Sequence, residues 1–251
     1  MPSRRLSRNG FTRMGLVLVS AMSALSVALL GSCTPVDTLS APETAAVPGG
    51  SAGQPNGGSA AAALARLPVK GRAPKTGYER ALFGQAWADV DRNGCDTRND
   101  VLRRDLTPSV AKAGTHGCII LSGTLHDPYT GTTIAFVRGS ATSGTVQIDH
   151  VVPLSDAWQK GAQQLSATSR TALANDLLNL LAVDGPTNQR KSDSDAASWL
   201  PPSKPYRCSY AARQVAVKAK YGLWVTAAER DALARILATC PSQTLPSATS
   251  P

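Results

Sequence analysis

The 251-residue sequence predicts an α+β fold, helix outweighing strand, and three features lead to that expectation. Apolar residues recur at helical spacing in several segments, two short β-rich runs flank a Pro/Gly turn, and four cysteines besides Cys33 lie beyond an export-type leader. Hydrophobic residues at 42% and charged residues at 17% suit a globular domain and exclude a wholly disordered chain. Aromatics at 5% argue against an aromatic-rich base-stacking surface, and the lack of any C-x-x-C pair excludes a zinc-finger array.

Residues 1–14 carry four arginines and no acid, and Met14–Leu30 is an apolar stretch broken only by Gly and Ser. This is the basic region and hydrophobic region of an export signal. The run ends Leu30-Gly31-Ser32-Cys33, which resembles a bacterial lipobox with Cys33 as the lipidated thiol. An ordinary secretory signal is the alternative, and Ser3-Arg4-Arg5-Leu6 raises twin-arginine export. A transmembrane anchor fits less well, because the run is short and interrupted. Removing residues 1–32, with their four arginines, lowers the net charge from +9 to +5.

Residues 33–63 are rich in Ala, Gly, Pro and Ser and read as a disordered tether. One domain over 64–240 follows, then a disordered tail over 241–251. With Cys33 set aside, Cys95, Cys118, Cys208 and Cys240 allow two disulfides in three pairings. Cys95–Cys118 and Cys208–Cys240 are favoured because each closes a short loop, worth about 3 kcal/mol in the loop-entropy picture. A four-cysteine zinc site is the weaker alternative, since the paired-knuckle spacing is missing.

Within the domain, Leu82, Phe83, Ala86, Trp87 and Val90 predict an amphipathic helix over Tyr78–Val90, followed by an irregular loop. Cys118–Leu125 and Thr132–Val137 predict a hairpin around Asp127-Pro128-Tyr129-Thr130-Gly131. Thr145–Val152 reads as a third strand ended by Pro153. Helices are expected over Ser155–Gln164, Thr168–Leu178, Asn188–Trp199 and Ser209–Tyr221, with an extended run at Asn179–Val183. Thr226 and Glu229 form a capping-box pattern for a last helix reaching Thr239.

The chemistry concentrates in Asp149-His150-Val151-Val152-Pro153-Leu154, Asn179-Leu180-Leu181 and Asn188-Gln189-Arg190-Lys191. Phosphodiester hydrolysis requires a base for the attacking water, a hard cation for the developing charge, and donors for flanking phosphates. His150, Asp149 with Asn188, and Lys191 with Arg190 are residues of those types.

This combination resembles the ββα-metal motif of HNH endonucleases. More widely, the Tyr78–Val90 segment, Asn93–Asn99, Asp127–Gly131, Ala157-Trp158 and Trp199-Leu200-Pro201 are similar to secreted actinobacterial-type HNH proteins related to the C-terminal nuclease module of GmrSD-type restriction enzymes. The resemblance spans about Tyr78 to Cys240. It implies a ββα-metal core with additional helices and a short hairpin, stapled by disulfides. By position it implies His150 as general base, Asp149 and Asn188 as metal ligands, Asn179 as the residue tying the loop and orienting the base, and Lys191 as a phosphate contact.

Two oxygen ligands suit Mg²⁺ or Mn²⁺ retaining waters. Neighbouring residues on a regular strand face opposite ways, so Asp149 and His150 can share a site only where the strand bends or ends. The stretch between His150 and Asn179 is long for a minimal hairpin connection and is expected to hold two helices.

Other features have blander readings beside the functional one. Arg98 is either a phosphate fork or an ion-pair partner of Asp96 or Asp100. Asp89, Asp91 and Asn93 with Asp100 have the spacing of a calcium loop, against a disulfide-pinned turn. Arg213, Lys218 and Lys220 either follow a nucleic-acid backbone or form a solvated face. His116 and His126 read as loop residues. The expected partner is DNA, or RNA as well, with membrane contact only through lipid on Cys33 and no protein partner inferable. The competing class is a non-catalytic surface module for nucleic-acid or cell-envelope binding.

Overall fold

A computed structural model describes residues 58–249; the export signal, Cys33 and most of the expected tether lie outside them. Regular structure is present before the expected boundary at residue 64. Ser59 caps a short helix, α1 (Ala60–Arg66), by accepting from the Ala62 amide. The expected disordered tail is also tied down, because the Ala60 amide donates to the Gln243 carbonyl and Ser59 bridges Thr244.

The first helix expected from periodicity does not form. Its place is taken by a single 3₁₀ turn at Arg80–Phe83 followed by irregular chain. Gly84 stops the turn at φ +80°, where a Cβ would collide with Thr171, and Trp87 also adopts a left-handed φ of +60°. The expected irregular loop instead contains α2 (Thr97–Asp105), capped by Asp96 accepting from the Asn99 amide, and then strand β1 (Leu106–Ala111).

Strands β2 (Ile120–His126) and β3 (Thr133–Val137) form the expected hairpin around Asp127–Gly131. They make an antiparallel sheet in the order β1-β2-β3. Its inner face buries Leu106, Ile120, Leu125 and Phe136 together with Val101 and Leu102 of α2. The disulfides pair as favoured, Cys95–Cys118 and Cys208–Cys240.

A separate antiparallel pair, β4 (Val146–His150) and β5 (Leu180–Asp184), sets Asp149 opposite Leu181 and His150 opposite Leu180. Helix α5 (Gly185–Lys191) follows β5 directly. Asp184 caps it from the Thr187 amide and Pro186 occupies its first turn, a position where proline's missing N–H costs nothing. Gly185 is required there, since a Cβ would strike the Gly144 carbonyl. Ser192, at φ +52°, ends the helix, so the expected Asn188–Trp199 helix is displaced toward the N-terminus.

Between β4 and β5 lie α3 (Leu154–Gln159) and α4 (Ala167–Ala174), two helices as expected. The reading of Ser155–Gln164 as one helix fails at Gly161, whose φ of +122° separates α3 from a 3₁₀ turn. Helix α6 (Arg207–Lys220) buries Tyr210, Ala211, Ala212, Val215, Ala216 and Val217, joining two of the core clusters. Helix α7 (Ala227–Leu237) starts at the Thr226 cap, but Glu229 turns inward instead of closing a capping box. No helix among the described residues is long and apolar enough to cross a membrane.

Candidate active site

Strand β4 ends at His150, which resolves the facing problem. Beyond it the chain is held by Asn179, which is fully buried. Its Oδ1 accepts from the Val152 amide (2.8 Å), while Nδ2 donates to the carbonyls of Val152 and Leu173 (3.3 Å each). Asn179 thus ties the end of β4 to the end of α4. The next carbonyl of α4, Ala174, accepts from His150 Nε2 at 2.8 Å.

A carbonyl can only accept, so Nε2 carries the proton and Nδ1 of the neutral ring keeps its lone pair. Burial pushes the His150 pKa down to about 4; the Ala174 bond opposes that shift, and Arg80 and Lys191 reinforce it. The ring is therefore neutral at neutral pH, with the Nδ1 lone pair available. Trp87 lies nearly parallel to it, 16° between planes and 6.4 Å between centroids.

Asp149 turns to other partners. Its carboxylate receives the Tyr129 hydroxyl on Oδ2 and the Lys191 ammonium at 2.9–3.0 Å on both oxygens. Burial raises the Asp149 pKa, against the pull of Lys191 and Tyr129. Burial and the Asp149 charge keep the Tyr129 phenol protonated, as a donor must be.

Lys191 does not stand as a phosphate contact. It is fully buried and also donates to the His150 carbonyl at 2.9 Å, so it holds the strand end and Asp149 together. Even so, Asp149, His150 and Asn188 line one polar cleft of about 450 Å³, with Gln147 and Arg80 on its walls. Asn188 Nδ2 donates to Gln147 Oε1 at 2.9 Å, which leaves its own Oδ1 as an oxygen donor. Asp149 retains lone pairs beyond those used by Lys191 and Tyr129. Among the described residues no group of three or more His, Cys, Asp or Glu gathers that could hold a metal ion.

Other expected residues lie elsewhere. Arg190 is exposed and donates to Thr187 on its own helix at 2.7 Å. Arg98 lines neither this cleft nor the recess beside it, and Arg103 takes Asp100 as its partner at 2.6 Å. Burial and the neighbouring Arg138 lower the Arg98 pKa. In the calcium-type loop, Asp89 and Asp91 accept from the Asn93 amide, and Asn93 Nδ2 donates to Asp91 and Asp100. The carboxylates there face the loop's own donors.

Arg213 and Lys218 are buried, which removes the nucleic-acid-following face, and Lys220 pairs with Asp176 at 2.6 Å. His126 sits at the end of β2 with Nδ1 3.3 Å from the Thr133 hydroxyl, and His116 lies in the loop after β1 at φ +50°.

Three residues of the site escaped the sequence reading as individuals: Tyr129, Arg80 and Trp87. Tyr129 stood inside a recognised turn, where only its place opposite a buried aspartate reveals the role. Arg80 is exposed, makes no ion pair among the described residues, and lines both the polar cleft and the adjoining recess.

A strand pair running into a helix, with a neutral histidine at the strand end and oxygen donors beside it, is consistent with an HNH-family domain. Residues 96–236 match the family "GmrSD restriction endonucleases, C-terminal domain", and the chain belongs to that family. It is also 40% identical over 188 residues, 74% of this chain and 87% of the relative, to an "Uncharacterized secreted protein" of the fungus Arthroderma benhamiae. No solved structure matches.

Proposed function

We propose that this protein is an exported, divalent-metal-dependent HNH endonuclease that hydrolyses phosphodiester bonds of DNA, and of RNA where the strand fits. The observation that carries this reading is His150, neutral, anchored through Nε2 to the Ala174 carbonyl, and lining one cleft with Asp149 and Asn188. His150 Nδ1 takes the proton from the attacking water. The water oxygen forms a bond to phosphorus as the bond to the leaving oxygen breaks.

Asp149 and Asn188 would hold Mg²⁺ or Mn²⁺. The fit rests on the free Asn188 Oδ1, the unused lone pairs of Asp149, and a cleft with room for waters and a phosphate. Bound there, the cation supplies Lewis-acid stabilisation of the charge developing on phosphate and leaving oxygen. Tyr129 and Lys191 orient Asp149, Asn179 fixes the strand end that carries the base, and Arg80 receives the substrate's phosphate charge. The leader over residues 1–32 and the relative named as secreted support export, with lipidation at Cys33 as its membrane-tethered form.

The test is cleavage of supercoiled plasmid by residues 58–251 with Mg²⁺, with Mn²⁺ and with EDTA, alongside His150→Ala. Metal-dependent nicking is expected, with a loss of about 10²–10⁴-fold in the variant, the size typical of a general base. Cleavage that is indifferent to both EDTA and His150→Ala would sink the mechanism. A folded, oxidised domain that retains DNA on a gel without cutting it would favour the binding module.

A further inference from the structure

A second recess adjoins the polar cleft, and the two share His150, Arg80 and Leu154. Its chemistry differs. The walls are Phe83, Trp87, Leu154 and Ala174, and the enclosed space is about 260 Å³, smaller than pockets that take drug-sized ligands. Phe83 is buried and Trp87 half-buried, and the Trp87 plane runs nearly parallel to the imidazole.

The wall is also built at some cost. Trp87 holds a left-handed φ that large residues seldom adopt, and Gly84 reaches a contact with Thr171 that no side chain would permit. Asn175 lines the same recess, is 1% exposed, and leaves Oδ1 without a hydrogen-bond partner. Buried acceptors normally find a donor.

A phosphodiester positioned at His150 and Arg80 carries a nucleoside on each side. The polar cleft takes the phosphate; a flat, π-faced group with amino or imino donors on its edge suits the recess. We infer that the recess beside His150 receives the unstacked nucleobase next to the scissile phosphate, so that the preferred substrate is a single strand or a locally opened duplex. This rests on the nuclease reading above. A base inside an intact duplex reaches such a recess only by leaving the stack, which costs a few kcal/mol. A single strand avoids most of that cost.

The experiment compares a labelled oligonucleotide as a single strand, as a blunt duplex, and as a single strand with abasic positions stepped along it. The unaltered protein is expected to cut the single strand at least about tenfold faster than the duplex and to avoid phosphates next to an abasic position.

Trp87→Ala should lose about 5- to 150-fold on the single strand, the range for one lost base–aromatic stack. It should lose its sensitivity to abasic positions, and Trp87→Phe should restore most of the loss. Equal cutting of duplex and single strand, or indifference of the unaltered protein to abasic positions, would overturn the inference and leave the nuclease reading standing. Failure to cut any of the substrates with metal present would remove both.

Discussion

Two of the charge clusters buried among the described residues are built to different ends. In the closed one, Lys160 and Lys218 are fully buried among Asp156, Asp195 and Glu229, with Arg72 reaching in from the surface. Three cations meet three carboxylates. Burial alone would strip the charge from Lys218, yet Asp156 and Glu229 raise its pKa above the usual lysine value. Burial likewise pushes Asp195 up, and Lys160 and Arg72 bring it below the ordinary carboxylate range.

In the open cluster one lysine, Lys191, shares one carboxylate, Asp149, with a tyrosine, and the next residue is a neutral histidine with an unused lone pair. Total burial of charge is common to both. What separates the fastening from the candidate site is capacity left over at the edge of a cleft.

The sharpest way to break this contrast is Lys160→Met. Removing one cation strands buried carboxylates, so a loss of about 3–5 kcal/mol is expected in urea denaturation, with activity per folded molecule unchanged. A stable variant with no activity would invert the assignment.

Next in size is the pH response of His150. Its folded pKa, about 4, lies below the unfolded value of 6.5, so the unfolded chain binds the extra proton between those limits and stability falls as pH drops from 6.5 to 4. The full effect is about 3 kcal/mol. Denaturation in EDTA at both ends of that window should show it, and His150→Gln should remove that part of the difference.

Tyr129→Phe should cost about 1–3 kcal/mol, by depriving a buried carboxylate of a donor. It should also raise the Mg²⁺ concentration needed for half-maximal cleavage, since Asp149 loses the bond that orients it. An unchanged Mg²⁺ requirement would leave Tyr129 with a packing role alone. Arg72→Ala should have the smallest effect, about 1 kcal/mol or less and diminishing with salt, because its side chain is 37% exposed.

Much of the candidate site is legible in sequence. Asp149-His150 before Pro153, the short run after Asn179, and the hairpin signal at Asp127–Gly131 all follow from local rules, and so does the pairing of cysteines across short loops. The misreadings have a shared cause: periodicity records which residues are apolar and says nothing of what they face. Leu82, Phe83, Ala86 and Trp87 are spaced for a helix, but Gly84 and Trp87 take left-handed backbone angles so that this segment can approach α4.

Asp96 is a good cap, hidden by the neighbouring cysteine loop, so α2 was missed. Lys191 and Lys218 look like surface cations until their carboxylate partners, 42 and 62 residues distant, are known. Burial makes His150 neutral, and the nitrogen that carries its proton is set by a carbonyl from α4 that no motif encodes.

The meeting of the chain ends has a mechanical consequence. Ser59 bridges Thr244, and the Ala60 amide holds the Gln243 carbonyl, so the two ends of the described chain are fastened side by side. A pull applied between them loads that small junction first. The Cys208–Cys240 bridge then stops the tail from peeling past residue 240. Tension on the tail is thereby taken up at this junction and at the bridge, apart from the strand pair that carries His150.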